Sequence, residues 1–167
     1  LYLYMFTHPG KKLNFMGNEL AHFREWDEEK QCDWDLLKYP MHDAFHRYFA
    51  KLGELYSKTP ALYETEYDWT SFQWIDADNA DENMFSYLRK NENSYYIVIL
   101  NFSPNAYKKH AFGVPEKGVY HELLNTEQDI WGGEITELGK MKAVEKECNK
   151  LPYTIEVDVP AFGGVLL

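Results

Sequence analysis

Apolar and polar residues recur along this chain with two different periods, and the change falls near residue 66. Before it, LYLYMFTH (1–8) predicts the end of an apolar helix stopped by Pro9-Gly10. KLNFM (12–16) predicts a short, mostly buried strand, with Gly17-Asn18 turning the chain behind it. The stretch from Ala21 to about Tyr39 is a long, charged loop, and Trp26, Trp34, Leu36 and Leu37 argue that it is ordered. Met41, Phe45, Tyr48, Phe49, Leu52, Leu55 and Tyr56 then fall three and four apart, the single apolar stripe of an amphipathic helix. Pro40 and Asp43 suit its first turn, Asp43–Arg47 and Glu54–Lys58 are spaced to pair on its polar face, and Pro60 ends it. Helix, tight turn, buried strand and long loop form the rhythm of an α/β unit.

Beyond residue 66 the period drops to two. FQWID (72–76), MFSYLRK (84–90) and YYIVILNFS (95–103) predict strands, with Asn91-Glu92-Asn93 turning the chain between the last two. GVYHELLNT (118–126) is a further candidate. TIEVDV alternates, with Ile155, Val157 and Val159 expected inward and Thr154, Glu156 and Asp158 outward, and PAFGGVLL closes on another apolar run. Short strands at regular spacing with turn residues between them indicate an antiparallel sandwich. Periodicity leaves residues 134–150 undecided: the composition is helical, yet Gly139 interrupts it and no stripe emerges.

Length and charge narrow the function classes. At 167 residues the chain holds one domain, or one domain and a further piece. A net charge of −10 disfavours nucleic acid and anionic membrane surfaces as partners. No apolar run approaches the roughly 20 residues that span a bilayer. Cys32 and Cys148 lie far apart without metal-ligand spacing, which suits a reduced, cytoplasmic setting. Lys11 and Lys12 follow the first apolar stretch instead of preceding it, unlike a secretory signal, and the start on Leu1 leads us to expect a piece of a longer protein. Aromatic residues reach 17%, which a β-rich fold accounts for and a carbohydrate-facing surface also accounts for.

MFTHPGKKLNFMGNELAHFREWDEEKQCDWDLLKYPMH (5–42) resembles the bacterial-type glycogen branching enzymes of the alpha-amylase superfamily. SFQWIDADNADENMFSYLRK, LNFSP, GVYHELLNT and LPYTIEVDVPAFGGVLL continue the similarity to the end of the chain. The resemblance implies a mainly β chain: a C-terminal antiparallel β-sandwich of the alpha-amylase C-terminal type, preceded by the last strand and helix of a (β/α)8 barrel. Residues 1–66 would be the barrel piece, with 1–8 the tail of the seventh helix, 12–16 the eighth strand and 41–59 the eighth helix. Residues 67–167 would be the sandwich, and 134–150 would contain strands around KMKAVEKE. Ala21-His22 and Asn14 depart from the family's commonest wording, which puts fine substrate preference in doubt.

The activity so implied is cutting an α-1,4-glucan and rejoining the released segment through an α-1,6 bond, with retention and without an organic cofactor. Such chemistry needs a carboxylate nucleophile and an acid/base about 5–5.5 Å apart. In this superfamily these groups, and a third stabilising carboxylate, sit on strands that would precede residue 1, so no catalytic residue is assigned here. The partners implied are an α-glucan and the rest of the barrel. Because such sites open at the C-terminal ends of barrel strands, Glu19, Arg24 and Trp26 are the candidate substrate-binding rim. For Glu19 a structural role stands equally open, Arg24 and Glu25 are expected to pair with each other or with nearby loops, and Trp26 is the best candidate for glucan contact or else a loop anchor. His8, His22, His42 and His46 suggest a metal only superficially, since no further ligand completes a set and the two on the helix fit a solvated face. DADNADE (76–82) lacks the calcium-loop pattern. Tyr95, Tyr96 and Trp131 are a weaker candidate glucan surface, with cross-strand packing the favoured account of the tyrosines.

Overall fold

The computed structural model describes all residues, 1–167. Two helices lead: α1 (Tyr2–Thr7) and α2 (Pro40–Lys58). Ten strands follow: β1 (Phe72–Asn79), β2 (Met84–Lys90), β3 (Tyr95–Asn101), β4 (Tyr107–Val114), β5 (Val119–His121), β6 (Leu124–Asn125), β7 (Lys140–Lys142), β8 (Val144–Cys148), β9 (Leu151–Val159) and β10 (Gly164–Leu166). They form an antiparallel five-stranded sheet in the order β1-β2-β3-β10-β6, a three-stranded sheet β4-β9-β8, and the small β5–β7 pair.

The five-stranded sheet is covered on both faces, and alternation along β2 shows how. Met84 and Leu88 point into a core shared with the three-stranded sheet, where Ile97, Ile99, Phe112, Ile155, Val157 and Val159 meet them. Tyr87, one residue out of phase, joins Val98, Leu100 and Leu166 in a second core, closed from the other side by Leu3 and Phe6 of α1 and Leu52 of α2. The result is three layers: helices, large sheet, small sheet. The amphipathic helix thus finds its partner within the chain, although Met41 at the head of its stripe stays 66% exposed. Its two spaced ion pairs form, Arg47–Asp43 at 2.9 Å and Lys58–Glu54 at 2.8 Å.

Most expected strands are present, and residues 134–150 resolve into β7 and β8 rather than a helix. Two expectations need correction, and one strand was not anticipated. Residues 12–16 are not a buried strand: the segment pairs with no neighbour, and Leu13 is 72% exposed. A barrel strand is ordered by a strand on each side, and none in this chain lies beside it. Thr154 is buried rather than outward, because its hydroxyl donates to Lys146 O at 2.7 Å across the β8–β9 ladder. Strand β4 was not foreseen, since a register shift between Tyr107 and His110, with Lys109 at φ 48°, breaks its alternation.

The turn after α1 is held by polar side chains. Arg89 of β2, fully buried, donates to Thr7 O at 2.5 Å, Leu62 O at 3.0 Å and Ala61 O at 3.3 Å. Lys12 Nζ donates at 2.7 Å to each of His8 O, Gly10 O and Glu66 Oε1. Tyr56 Oη donates to Glu66 Oε2 at 3.2 Å. The His8 ring packs among Tyr4, Phe72, Trp74 and Tyr87.

Two outcomes test this packing. Leu52→Ala removes a buried side chain from the second core and is expected to cost about 2–5 kcal/mol in urea unfolding, whereas exposed Met41→Ala should stay within about 0.5 kcal/mol. Burial, reinforced by the nearby Arg89 and Lys12 charges and opposed by Pro9 O, holds His8 below its ordinary 6.5. The unfolded chain therefore takes up this proton first as pH falls, and the stability His8 contributes is lost below that value. Stability of the wild type should decline relative to His8→Phe between about pH 7 and about pH 5, read as the difference between the two denaturation profiles.

Candidate functional site

The candidate rim is built on the segment between the two helices. Gly17 (φ 84°) and Ala21 (φ 51°), both left-handed, bracket a 3-10 turn, Asn18–Leu20. A Cβ on Gly17 would lie 2.5 Å from His22 Nδ1, so only glycine allows the His22 ring to close over the turn. His22 Nε2 in turn accepts the Asp33 backbone N–H at 2.8 Å. Two histidines of α2 meet carbonyls of the same turn: His42 Nδ1 lies 2.7 Å from Leu20 O and His46 Nδ1 3.2 Å from Glu19 O. The helix histidines expected on a solvated face therefore carry the rim. No three His, Cys, Asp or Glu side chains converge to hold a metal ion.

No hydrogen bond, ion pair or cation–π contact joins Glu19, Arg24 and Trp26 to one another. Glu19 is half-buried, and its Oε2 accepts from Asn14 Nδ2 at 2.7 Å, which leaves Oε1 without a protein donor. Trp26, 43% exposed, sets its ring edge-to-face on Phe15 with centroids 5.8 Å apart. Both side chains thus lean on the same extended segment, 14–15. Arg24 makes a two-pronged pair with Asp33, Nε and Nη2 each at 2.9 Å, and donates to Gln31 O at 2.7 Å. It reaches only the backbone of Glu25, at 3.4 Å. Arg24 holds the Asp33 carboxyl below its ordinary range, and Asp33 raises Arg24 in return. This arginine closes the neck of the loop 24–33, with Nε and both N–H groups of Nη2 engaged there.

Asp33 was missed in the sequence because its role needs a partner nine residues away; the charge pair was visible, but the loop's path was not. Beside it, Gln31, Asp33, Trp34, Asp35 and Tyr39 line a hollow of about 370 Å³, with Trp34 52% and Tyr39 61% exposed. Exposed rings next to carboxylates and carbonyls can stack on the apolar face of a sugar and accept its hydroxyls. A second hollow, about 240 Å³ and walled entirely by Tyr4, Trp74, Phe85, Leu100 and Phe102, lies where α1 leaves the large sheet uncovered. The surface made of Tyr95, Tyr96 and Trp131 is not assembled. Tyr95 packs on one core, with its hydroxyl 2.9 Å from that of Tyr120, Tyr96 packs on the other, and Trp131 sits against Tyr48 of α2.

Residues 74–167 match the family described as alpha amylase, C-terminal all-beta domain. The chain is 41% identical over 161 residues to a 1,4-alpha-glucan branching enzyme of Clostridium perfringens, covering 94% of this chain and 24% of that protein. It is 39% identical over 170 residues to one of Bacillus cytotoxicus, covering 100% and 26%, and 40% identical over 164 residues to one of Oceanobacillus iheyensis, covering 96% and 26%. The chain therefore spans about a quarter of the length of the curated relatives it matches. Two solved structures of a debranching enzyme from Nostoc punctiforme share the fold, with TM-scores of 0.64 and 0.61 at 13% and 18% identity. Each likeness covers 99% of this chain and 29% of that one.

Gly17→Ala is expected to expel the His22 ring and cost at least about 1 kcal/mol. The His22 and Leu20 NMR signals should shift while those of β3 and β9 stay in place.

Proposed function

We propose, from the premise that this chain belongs to the family of alpha amylase C-terminal all-beta domains, that it is the C-terminal part of a 1,4-alpha-glucan branching enzyme. In this reading residues 1–66 complete the catalytic barrel of the parent and 67–167 are its sandwich. The observation that carries it is the extent of the likeness to proteins of that name. It covers 94–100% of the chain and so includes the helical segment ahead of residue 74, where the sandwich family match begins.

The parent would form a glycosyl-enzyme on its nucleophilic carboxylate, displacing one end of the cut glucan. It would then pass the retained segment to a sugar 6-hydroxyl, whose proton the acid/base accepts. This chain supplies neither carboxylate. It offers the wall: Trp26 as a stacking ring, the free oxygen of Glu19 as an acceptor for a sugar hydroxyl, and Arg24 as the brace of the loop that carries Trp26. No helix is long and apolar enough to cross a membrane. The two free thiols support a cytoplasmic parent, and no organic cofactor is required by chemistry of this kind.

A second reading, glucan binding by the chain without catalysis, is favoured by the aromatic hollow around Trp74 and Phe102. Amylose incubated with the chain alone should keep its iodine absorption spectrum, and a shift would overturn the assignment of catalysis to the remainder of the parent. Electrophoresis through glycogen should retard the chain. Loss of retardation in Trp26→Ala supports the rim, loss in Trp74→Ala supports the hollow on the sheet, and no retardation at all sinks glucan contact by this part of the protein.

A further inference from the structure

The turn that launches the rim is nearly free of backbone hydrogen bonds. His8 N–H still closes α1 on Tyr4 O, and the next backbone bond along the chain is Asn18 N–H to Phe15 O. Between them no backbone–backbone bond involves residues 9–14. Leu13 and Phe15 are 72% and 51% exposed, so packing does not fix this path either. What fixes it is a set of side chains reaching in from elsewhere. Arg89 grips Thr7 O, the last carbonyl of α1. Lys12, from inside the turn, ties the carbonyls of His8 and Gly10 together and anchors them to Glu66. The Lys12 and Glu66 side chains are only 11% and 7% exposed, and Tyr56 of α2 braces the carboxylate from the far side.

We propose that Lys12, Glu66 and Arg89 are positioning residues for the rim. They clamp the turn 7–12 onto the large sheet, so that the segment 13–26 leaves it along one path and presents Asn14 and Phe15, the supports of Glu19 and Trp26, in fixed places. This rests on the reading of 13–26 as a glucan-facing wall, but the clamp itself is decided separately. An ordinary core residue would be lost together with the sheets. A positioning residue releases the rim while the sheets stay folded, because the two cores lie on either side of the large sheet and need nothing from residues 9–14.

The test uses the full 167-residue chain with Cys32→Ser and Cys148→Ser, spin-labelled at Leu13→Cys and at exposed Glu156→Cys on β9, and read by pulsed electron–electron distance measurement. The unsubstituted clamp should give one narrow distance distribution. Lys12→Met and Glu66→Gln should each lose that single peak to a broad distribution, with the thermal transition of the β-sheet circular dichroism still cooperative. Lys12→Arg, which keeps charge and donors, should retain the narrow peak. Arg89→Met is expected to broaden it as well; should that variant fail to fold, Lys12→Met and Glu66→Gln still decide. A narrow peak in Lys12→Met, or broadening only where the sheets have also unfolded, overturns the clamp. Glycogen electrophoresis of the same variants separates the two ideas. Broadening in a chain whose parent form is never retarded leaves the clamp standing and removes the glucan reading.

Discussion

A single guanidinium, buried on β2, organises the junction between the helices and the sheet. The last carbonyls of any helix lack partners within it, and both α1 and the 3-10 turn Pro60–Leu62 end against the large sheet, away from water. Arg89 meets Thr7 O from one and Ala61 O and Leu62 O from the other. Burying such a charge is costly unless hydrogen bonds and opposite charge surround it. Here the acceptors are carbonyls, and burial outweighs the attraction of the Glu66 carboxylate, so the Arg89 pKa is lowered. The Nε atom stays without a partner. An arrangement this exacting survives because the helical layer depends on it: α1 and the turn after α2 can end against the sheet only where those carbonyls are satisfied.

From that constraint the layering follows. The large sheet is apolar on both faces, with Leu88 and Arg89 adjacent in sequence yet serving opposite sides. The small sheet needs only β-strand alternation to cover its face. The helical face needs a polar device, because it brings helix ends, not only helix flanks, against the sheet. The same face stays partly open, and Leu13, Phe15, Met16, Phe23, Trp34 and Met41 stay exposed. That surface is more than scattered single residues require.

Where the physics is local, the sequence was a good guide. The stripe of α2, its i, i+4 pairs, and β9 could be read from periodicity, because each buries one face of a regular repeat, while β2 and β3, buried on both faces, stand out as apolar runs between turn residues. β4 could not, since its bulge destroys the repeat that would have identified it. The segment 12–16 misled for the opposite reason: its apolar pattern is that of a strand, but a strand exists only through its neighbours. In the rim the residue types were legible and their pairings were not. Arg24 could be seen to need a carboxylate; that it takes Asp33 and leaves Glu25 depends on a loop closed by His22 and Gly17. The roles of His42 and His46 were invisible, because a histidine serving a carbonyl on another element leaves no pattern in its own helix.

In the proposed reading, these pairings bear on how a part without the catalytic carboxylates matters to catalysis. A glucan wall must hold its rings and acceptors to a fraction of an ångström, and loops held only by their own backbone rarely do so. Here the segment 13–26 has two supports. The histidines of α2 hold the turn Asn18–Leu20, and the Lys12–Glu66–Arg89 set holds the turn that precedes it. Both trace back to the same helical layer, pressed on the same sheet by the same core. Glu19 and Trp26 lean in turn on Asn14 and Phe15, between the two supports. A sandwich that never touched a glucan would still determine where the rim stands, and stiffness at the rim would be a property of β2.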